Sequence, residues 1–310
     1  MYFLAGQIIY HLRHQQGLSQ EELAEGILGE KELDRFESSV TDIPTKEKID
    51  ALFQRLGYFS VSLDSLPYKL STEEHKVINM RDGLHTFLEN FEIEKASEFI
   101  KTIEATPEFQ DGVNRQYLLK SQAAICLEDD PERALSLLEE AINITLPGFD
   151  EEHMDTCLLT YADMEILTEM AAIYQRRGEA DRAVDLLNKL IYNVTVRISD
   201  QHEKTRNLVF VQYALARLLN IQERYEESLA ICDKAIAASQ KNKLPGLLPQ
   251  LMYTKASCLF YLNRQLDEVK TLVHTAIYGC IMMGMESMGE ILERQAYSAF
   301  GISLEEQLKN

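Results

Sequence analysis

The segment ERALSLLEEAI, at residues 132–142, sets the organisation of most of the chain, because later segments repeat its pattern. The copies are DRAVDLLNKLI at 181–191, EESLAICDKAI at 226–236 and DEVKTLVHTAI at 267–277, and a fainter copy starts at Ile93. The third position of each copy is an anchor, and successive anchors lie 49, 45 and 41 residues apart: Ala134, Ala183, Ser228 and Val269. This period, with apolar residues at helical spacing, predicts stacked helical hairpins.

The anchors indicate how the hairpins pack. A small residue at the start of a second helix lets the two helices of a hairpin approach closely, and another small residue seven positions later lets the next hairpin stack. This pattern favours tetratricopeptide repeats, with HEAT repeats as the alternative of similar period. We expect residues 71–310 to form about five hairpins and a capping helix at Met285–Phe300, in a right-handed superhelix with a concave inner face.

The rest of the chain is also predicted to be helical, so the fold class is all-α. The N-terminal residues 1–57 contain short helices, and Ser19 with Glu22 forms a capping box at the start of one of them. Residues 58–70 lack a long periodic pattern and are predicted to be a linker. Alternating apolar runs that would indicate strands are nearly absent, and the best of them, Asn193–Ile198, can continue a helix.

Composition narrows the class of protein. The 310 residues hold 31 Lys and Arg against 50 Asp and Glu, a net charge of −19, so the mean field repels phosphate and any DNA contact must come from a local patch. The five cysteines form no CxxC pair and no run of 18 apolar residues occurs. We therefore expect a cytoplasmic protein with reduced thiols, no membrane span and no cofactor.

Catalytic and metal-binding signals are weak. The sequence has no HExxH, no glycine-rich phosphate loop and no nucleophile elbow, so we expect no enzyme. The densest metal-like cluster, Glu151, Glu152, His153, Asp155 and Cys157, matches no standard ligand spacing, so we expect no metal site.

Three N-terminal motifs carry a family resemblance: GLSQEELA at 17–24, LDRFE at 33–37 and PT at 44–45. They resemble the helix-turn-helix domain of the XRE/Cro-repressor family. Joined to the repeats, they make nearly the whole chain similar to the RNPP group of Gram-positive bacteria, and especially to its PlcR-like members. The resemblance implies a transcriptional regulator of the quorum-sensing type. Such a protein is a homodimer on a pseudo-palindromic operator and holds a re-imported signalling peptide on the concave face of its repeats.

In a domain of this type the second helix meets a phosphate and the third enters the major groove. The DNA-binding residues implied by the resemblance are Ser19, Gln20, Gly29, Glu30, Lys31, Asp34 and Arg35. Residues 1–57 hold six Lys and Arg against ten Asp and Glu, a balance of −4, which weakens phosphate binding. The alternative is therefore an interaction adaptor or antagonist whose helix-turn-helix no longer binds DNA. An aspartyl-phosphate phosphatase, as among the Rap relatives, is a more distant alternative, since those lack a DNA-binding domain of this type.

Registering each hairpin on its anchor predicts which residues of the first helices face the concave side. The candidate peptide-binding residues are Thr168, Gln175, Tyr213, Arg217, Asn220, Thr254 and Tyr261. Methionines 282, 283, 285 and 288 are a second candidate contact surface, with core packing or a dimer surface as the alternatives.

Overall fold

A computed structural model describes residues 2–38, 43–58, 72–198 and 200–303, and within these ranges the chain is helical without a strand. Two 3₁₀ segments, Pro107–Phe109 and Glu151–Thr156, separate some of the α-helices. The α-helices are α1 (Tyr2–Gln16), α2 (Gln20–Ala24), α3 (Glu30–Glu37), α4 (Lys46–Arg55), α5 (Thr72–Glu89), α6 (Ile93–Glu104), α7 (Gly112–Cys126), α8 (Pro131–Thr145), α9 (Tyr161–Arg176), α10 (Ala180–Arg197), α11 (Gln201–Ile221), α12 (Tyr225–Asn242), α13 (Leu248–Tyr261), α14 (Leu266–Met282) and α15 (Glu286–Phe300). In the described part of the chain, no helix is both long and apolar enough to cross a bilayer.

The all-α prediction is confirmed, and so is its division into a helix-turn-helix domain and tetratricopeptide-type hairpins. Helices α1 to α4 enclose one apolar core, in which Leu23, Leu33 and Leu52 are fully buried. Ser19 caps α2 as the sequence predicts, because its hydroxyl accepts from the Glu22 amide and Glu22 accepts from the Ser19 amide. The predicted linker, apart from Tyr58, lies outside the described residues.

A buried ion pair ties α1 to α3 inside this domain. Arg13 donates from Nε and Nη2 to the two carboxylate oxygens of Glu37, both at 2.7 Å, and from Nη1 to the carbonyl of Leu18 at 2.8 Å. The hydrogen bonds to Glu37 raise the pKa of Arg13. Because either charge alone would be costly to bury, the pair fixes the relative position of the two helices.

The repeat anchors are buried where the sequence pattern requires it. Ala134, Ala183, Ser228 and Val269 are each 0% exposed, as are the second small residues Ala141, Ala235 and Ala276. Serine fits an anchor position because its hydroxyl is satisfied within the hairpin: Ser228 Oγ donates to the carbonyl of Ala216 at 2.7 Å. The packed helix pairs include α5 with α6, α7 with α8, and α13 with α14.

The chain forms two compact units. The first comprises residues 1–173 and 195–203, and therefore holds the helix-turn-helix domain together with the first hairpins. The second comprises residues 174–194 and 204–310. The helices on both sides of the predicted linker at 58–70 belong to the first unit, in which α4 packs on α7.

The last turn of α4 makes the contact between the helix-turn-helix domain and the hairpins. Arg55 is 4% exposed, and its Nη1 donates to the carbonyls of Leu23 at 2.9 Å and Glu25 at 2.6 Å, while its Nη2 donates to the carbonyl of Thr145. Burial lowers the pKa of Arg55. Beside it, Gln54 Oε1 accepts from the backbone amide of Tyr161 at 2.8 Å. One helix of the N-terminal domain thus satisfies polar groups at the end of α8 and the start of α9.

A fully buried carboxylate supports the hairpin side of this junction. Asp163 accepts from Gln116 at 2.7 Å, from the hydroxyl of Thr145 at 2.5 Å, and from the amide and hydroxyl of Thr160, each at 2.7 Å. Thr160 Oγ1 accepts in turn from the Asp163 amide at 3.2 Å, so the pair is a capping box for α9. The network joins α7, α8 and α9 and presents the Thr145 carbonyl to Arg55.

Gly26, in the turn after α2, gives a test of this junction. Its φ is +69°, and a Cβ there would meet the carbonyl oxygens of Ile144 and Thr145, the latter at 2.7 Å. We expect Gly26→Ala to lose about 1–2 kcal/mol from the left-handed backbone and about 1–3 kcal/mol more from the forced displacement of α8. Thermal and urea unfolding of the full chain measure the loss.

Gly17→Ala is the matched control, because Gly17 has nearly the same φ, +70°, and a Cβ there would meet no heavy atom within 4 Å. It should show the backbone cost alone. Equal losses in the two variants would contradict the close packing of the turn against α8.

Candidate functional site

The surface formed by α3 and the residues that lead into it is open. Gly29, Glu30, Lys31, Asp34 and Arg35 are all exposed, and a Cβ at Gly29 would meet no heavy atom within 4 Å. The same helix buries Leu33 and Phe36 on its other face. The junction uses the turn after α2 and the end of α4, so this surface takes no part in it.

The two predicted phosphate-contacting residues of α2 have different settings. Ser19 is exposed, although its hydroxyl already caps the helix. Gln20 is half-buried, and its amide nitrogen donates to Glu37 at 2.8 Å and to Asp34 at 3.3 Å. A phosphate would therefore compete with two carboxylates for this amide group.

Four of the six cations in the first 57 residues are buried or lie in an ion pair with a carboxylate. Arg13 and Arg55 are buried, Lys46 pairs with Asp50 at 2.8 Å, and Lys48 pairs with Glu32 at 3.3 Å. Lys31 and Arg35 remain as the exposed cations of α3. The exposed Lys and Arg side chains of this domain thus both lie on one short helix.

In the first unit, charged side chains of α7 and α9 meet on the first helices of the hairpins. Lys120 Nζ lies 2.5 Å from Glu165 Oε2. One turn further along α9, burial raises the pKa of Glu169 from 4.5 to about 7, against a smaller opposing effect of Lys120. Thr168, a predicted contact residue between the two glutamates, is half-buried and donates to the carbonyl of Glu165 at 2.8 Å.

In the second unit, Tyr213 and Arg217 share one face of α11. Arg217 is exposed, and its guanidinium carbon lies 5.6 Å from the centre of the Tyr213 ring. Burial raises the pKa of Tyr213, and the charge of Arg217 opposes this shift. An exposed guanidinium held beside an aromatic ring can bind a carboxylate or a peptide carbonyl.

The other predicted residues of this unit bond to neighbouring helices. Asn220 donates to Cys258 Sγ at 3.2 Å and accepts from the Ser257 hydroxyl at 3.2 Å, which links α11 to α13. Gln175 Oε1 accepts from Gln222 at 2.7 Å. Asn220 and Gln175 thus already have hydrogen-bond partners inside the protein. Their contact with a peptide stays a prediction.

Thr254 and Tyr261 lie on α13 with opposite exposure. Thr254 is buried, and its hydroxyl donates to the carbonyl of Gln250 at 2.9 Å. Tyr261 is exposed and stacks on Tyr225, with ring centres 4.9 Å apart. Tyr261 is therefore the accessible residue of the two.

The four methionines of the second candidate contact surface differ in burial. Met285 and Met288 pack against the core of the last hairpin, whereas Met282 is 86% exposed and Met283 is also exposed.

In the metal-like cluster, His153 Nδ1 lies 2.8 Å from an Asp150 oxygen. Among the described residues, no three His, Cys, Asp or Glu side chains are arranged to hold a metal ion.

Sequence reasoning did not single out Gln54, Arg55, Gln116 or Asp163, nor the charged residues Arg81 and Lys120. Arg55 is buried where α4 meets the end of α8, and Asp163 is buried within the hairpins, where it bonds to Gln116 and Thr145 as well as to its neighbour Thr160. Arg55 is the last residue of an amphipathic helix, where a sequence pattern predicts an exposed cation. The sequence therefore carries no signal for its burial.

The pKa of Glu169 makes a prediction for stability. The native carboxyl keeps its proton up to about pH 7, whereas the unfolded one loses it near 4.5, so the native state binds more protons between these values. Unfolding free energy contributed by this group therefore falls as pH rises through that window. We expect Glu169→Gln to raise stability at pH 8, relative to its effect at pH 4.5, by on the order of 1–3 kcal/mol.

Thermal and urea unfolding at both pH values measure this difference. Glu98→Gln, which removes an exposed carboxylate from the same unit, reports the effect of lost charge alone. An identical pH dependence for the wild type and Glu169→Gln would show that Glu169 is not desolvated.

Comparison with solved structures shows the same fold in known proteins. The chain is similar to the crystal structure of PlcR from Bacillus thuringiensis in complex with the peptide PapR7 and DNA, with 24% identity and a TM-score of 0.57 over 93% of this chain and 98% of PlcR. For the apo form of PlcR the values are 21% and 0.52, over 94% and 98%. ComR from Streptococcus vestibularis, in complex with its cognate signaling peptide XIP, matches at 16% and 0.50, over 98% and 100%.

Comparison with curated protein sequences gave no significant match. The profile of the RNPP family C-terminal domain, however, matches residues 139–300, from within α8 to the end of α15. This match spans more than half of the 310 residues. The chain therefore belongs to the RNPP family.

Proposed function

We propose that this protein is a cytoplasmic, DNA-binding transcriptional regulator whose hairpin repeats bind a short signalling peptide. It acts as a homodimer on a pseudo-palindromic operator, and we assign no reaction to it. Family membership supports this proposal, since the matched domain is the C-terminal domain of the RNPP family. One PlcR structure of similar fold contains the peptide PapR7 and DNA, and the ComR structure contains its cognate signaling peptide XIP.

The open surface of α3 is the observation that carries the DNA-binding half. Exposed side chains at positions 30, 31, 34 and 35 stand on a helix whose other face is anchored in the core. Such a helix can enter a major groove, where Lys31 or Arg35 would bond guanine and Glu30 or Asp34 would accept from cytosine. The junction at Arg55 holds this domain on the hairpins without covering that surface.

Peptide binding, the second part of the proposal, is assigned to the first helices of the hairpins. Tyr213 and Arg217 in the second unit, with Tyr261, present an accessible charge and aromatic rings. Extended peptides bind repeats through regularly spaced side chains of this kind. Among the predicted contact residues, we place Arg217 and Tyr261 first because both are exposed.

One observation favours a second function, that of an interaction adaptor without DNA binding. Arg13 and Arg55 are buried inside the protein, and Lys46 and Lys48 already pair with carboxylates. Binding to the phosphate backbone depends on the number of cations that replace counterions. A domain with two exposed cations on its reading helix would bind DNA with a small salt dependence or not at all.

Variants of α3 decide between these functions. We expect the full-length protein to retain a subset of fragments from the genome that encodes it, and Lys31→Ala or Arg35→Ala to weaken binding to a recovered fragment. A lost bidentate contact to guanine costs about 1–3 kcal/mol. Genomic pull-down at low salt, followed by fluorescence anisotropy with the recovered fragment, measures both.

Lys95→Ala is the charge-matched control, since Lys95 is exposed on α6, outside the helix-turn-helix domain. Unchanged binding in both α3 variants would remove α3 as the reader of bases. Recovery of no fragment by folded protein, even at low salt, would leave the adaptor as the function.

A further inference from the structure

Two of the five cysteines meet inside the second unit as free thiols. Cys232 lies on α12 and Cys258 on α13, these two helices pack against each other, and both side chains are fully buried. The two thiol groups hydrogen-bond to each other. We refer to Cys232 and Cys258 as the thiol pair.

Polar side chains from two further positions approach the Cys258 sulfur. Asn220 Nδ2 donates to it at 3.2 Å, and the Cys258 thiol donates to Ser228 Oγ, also at 3.2 Å. Both neighbours are held in turn, because Ser257 donates to Asn220 Oδ1 at 3.2 Å and Ser228 donates to the Ala216 carbonyl at 2.7 Å. Helices α11, α12 and α13 thus place polar groups around one buried sulfur, whereas an inert structural cysteine has apolar surroundings.

This arrangement gives the two sulfurs of the thiol pair different chemistry. Hydrogen bonds lower the pKa of Cys258, the largest effect coming from Cys232 with smaller ones from Ser228 and Asn220, and together they outweigh the opposing effect of burial. The same interaction with Cys258 raises the pKa of Cys232. Because the thiolate is the nucleophilic form of cysteine, Cys258 is the sulfur that attacks, and Cys232 is the neighbouring thiol that can react with the product.

We propose that the thiol pair is a peroxide-reactive site, in which Cys258 is oxidised and Cys232 then closes a disulfide with it. The co-reactant is hydrogen peroxide, a molecule small enough to reach a buried sulfur. Asn220 is half-buried, so one member of the cluster extends to the surface of the second unit. This inference goes beyond the proposed function and does not depend on it.

The oxidation has two balanced steps. The Cys258 thiolate attacks one peroxide oxygen, so an S–O bond forms and the O–O bond breaks; the sulfur is oxidised to a sulfenic acid, the peroxide is reduced, and the oxygen that leaves becomes water. The Cys232 sulfur then attacks the Cys258 sulfur, so an S–S bond forms and the S–O bond breaks. Hydroxide leaves with the proton of Cys232 as a second water.

A disulfide at this position would change the contacts of three helices. It would join α12 to α13 covalently and occupy the sulfur to which Asn220 now donates. Asn220 links α11 to α13 through Cys258 and Ser257, so its amide group would lose one of its two partners on α13. Oxidation would therefore alter the packing of α11, the helix that also carries Tyr213 and Arg217.

Mass spectrometry of the peroxide-treated full-length protein tests the inference. Reduced protein is treated with hydrogen peroxide, its remaining thiols are alkylated in denaturant, and trypsin then cleaves after Lys and Arg. This releases Cys232 in residues 225–234 and Cys258 in residues 256–264. We expect these two peptides to be recovered as one disulfide-linked species that dithiothreitol separates.

Three variants assign the roles of the side chains. Cys232→Ser should leave Cys258 as a sulfenic acid that dimedone traps, and Cys258→Ser should leave Cys232 unoxidised. Asn220→Ala removes a donor to the thiolate, so it should slow the oxidation of Cys258 about tenfold at neutral pH, the effect of losing one hydrogen bond to a charged group. It should also move the pH midpoint of the reaction upward, which a purely structural role would not do. Circular dichroism confirms folding of each variant.

Cys126 and Cys157 are controls within the same chain. Both are half-buried and therefore more exposed than the thiol pair, and burial raises the pKa of each. Oxidation of Cys258 before either of them supports the inference. Oxidation of Cys126 or Cys157 first would show that reactivity follows exposure alone, and a Cys258 that stays reduced, or is oxidised without linkage to Cys232, would equally overturn the inference. DNA and peptide binding stand or fall separately from all of these outcomes.

Discussion

The guanidinium of Arg55 is a buried cation, and within the described part of the chain its hydrogen bonds go to backbone carbonyls and to no carboxylate. Three backbone carbonyls accept hydrogen bonds from its Nη atoms: Leu23 in the last turn of α2, Glu25 just after α2, and Thr145 at the end of α8. The buried Nε has no hydrogen-bond partner among the described residues, and the negative charges of Asp163 and Glu25 act on the group at longer range. Desolvating an arginine costs several kcal/mol unless its N–H groups find acceptors. The charge is therefore tolerated only when both modules hold those carbonyls in place, which makes the junction geometrically demanding.

This demand extends into the hairpins. The Thr145 carbonyl is positioned because the Thr145 hydroxyl donates to Asp163, and Asp163 is fixed by Gln116 and by the first turn of α9. A change in the packing of α7, α8 or α9 would therefore alter the acceptor on which Arg55 depends. Small shifts in packed interfaces tend to become discrete rearrangements because tightly packed groups have few intermediate arrangements. The network gives the first unit a physical means of passing a change in its hairpins to α4.

The sequence was informative where structure follows from local periodicity. The anchors Ala134, Ala183, Ser228 and Val269 predicted the hairpins because a close approach of helices needs compact side chains, and all four are buried. The capping box at Ser19 was equally readable, since its partners lie within four residues. Two of the residues predicted to face the concave side, Arg217 and Tyr261, are exposed.

The sequence was uninformative where function depends on contacts between distant segments. Gln54 and Tyr161 meet across 107 positions, and nothing in either local pattern indicates a partner. The inward turn of Asn220 toward Cys258 and the burial of Thr254 have the same origin, since both depend on how α11 and α13 pack. Nothing in the local pattern around Arg81 indicates that its guanidinium lies beside the Tyr117 ring.

The hydrogen bond from the Tyr161 amide to Gln54 has a consequence for the modularity of this architecture. The first turn of a hairpin helix is completed by a side chain that belongs to the N-terminal domain, so the two segments do not have independent structures. A recombination point in the segment 58–70 would divide the sequence between its recognisable parts and yet remove a cap from α9 and the acceptors of Arg55. The natural unit of exchange, for evolution or for the design of chimeric regulators, is the helix-turn-helix domain together with the hairpins through residue 173.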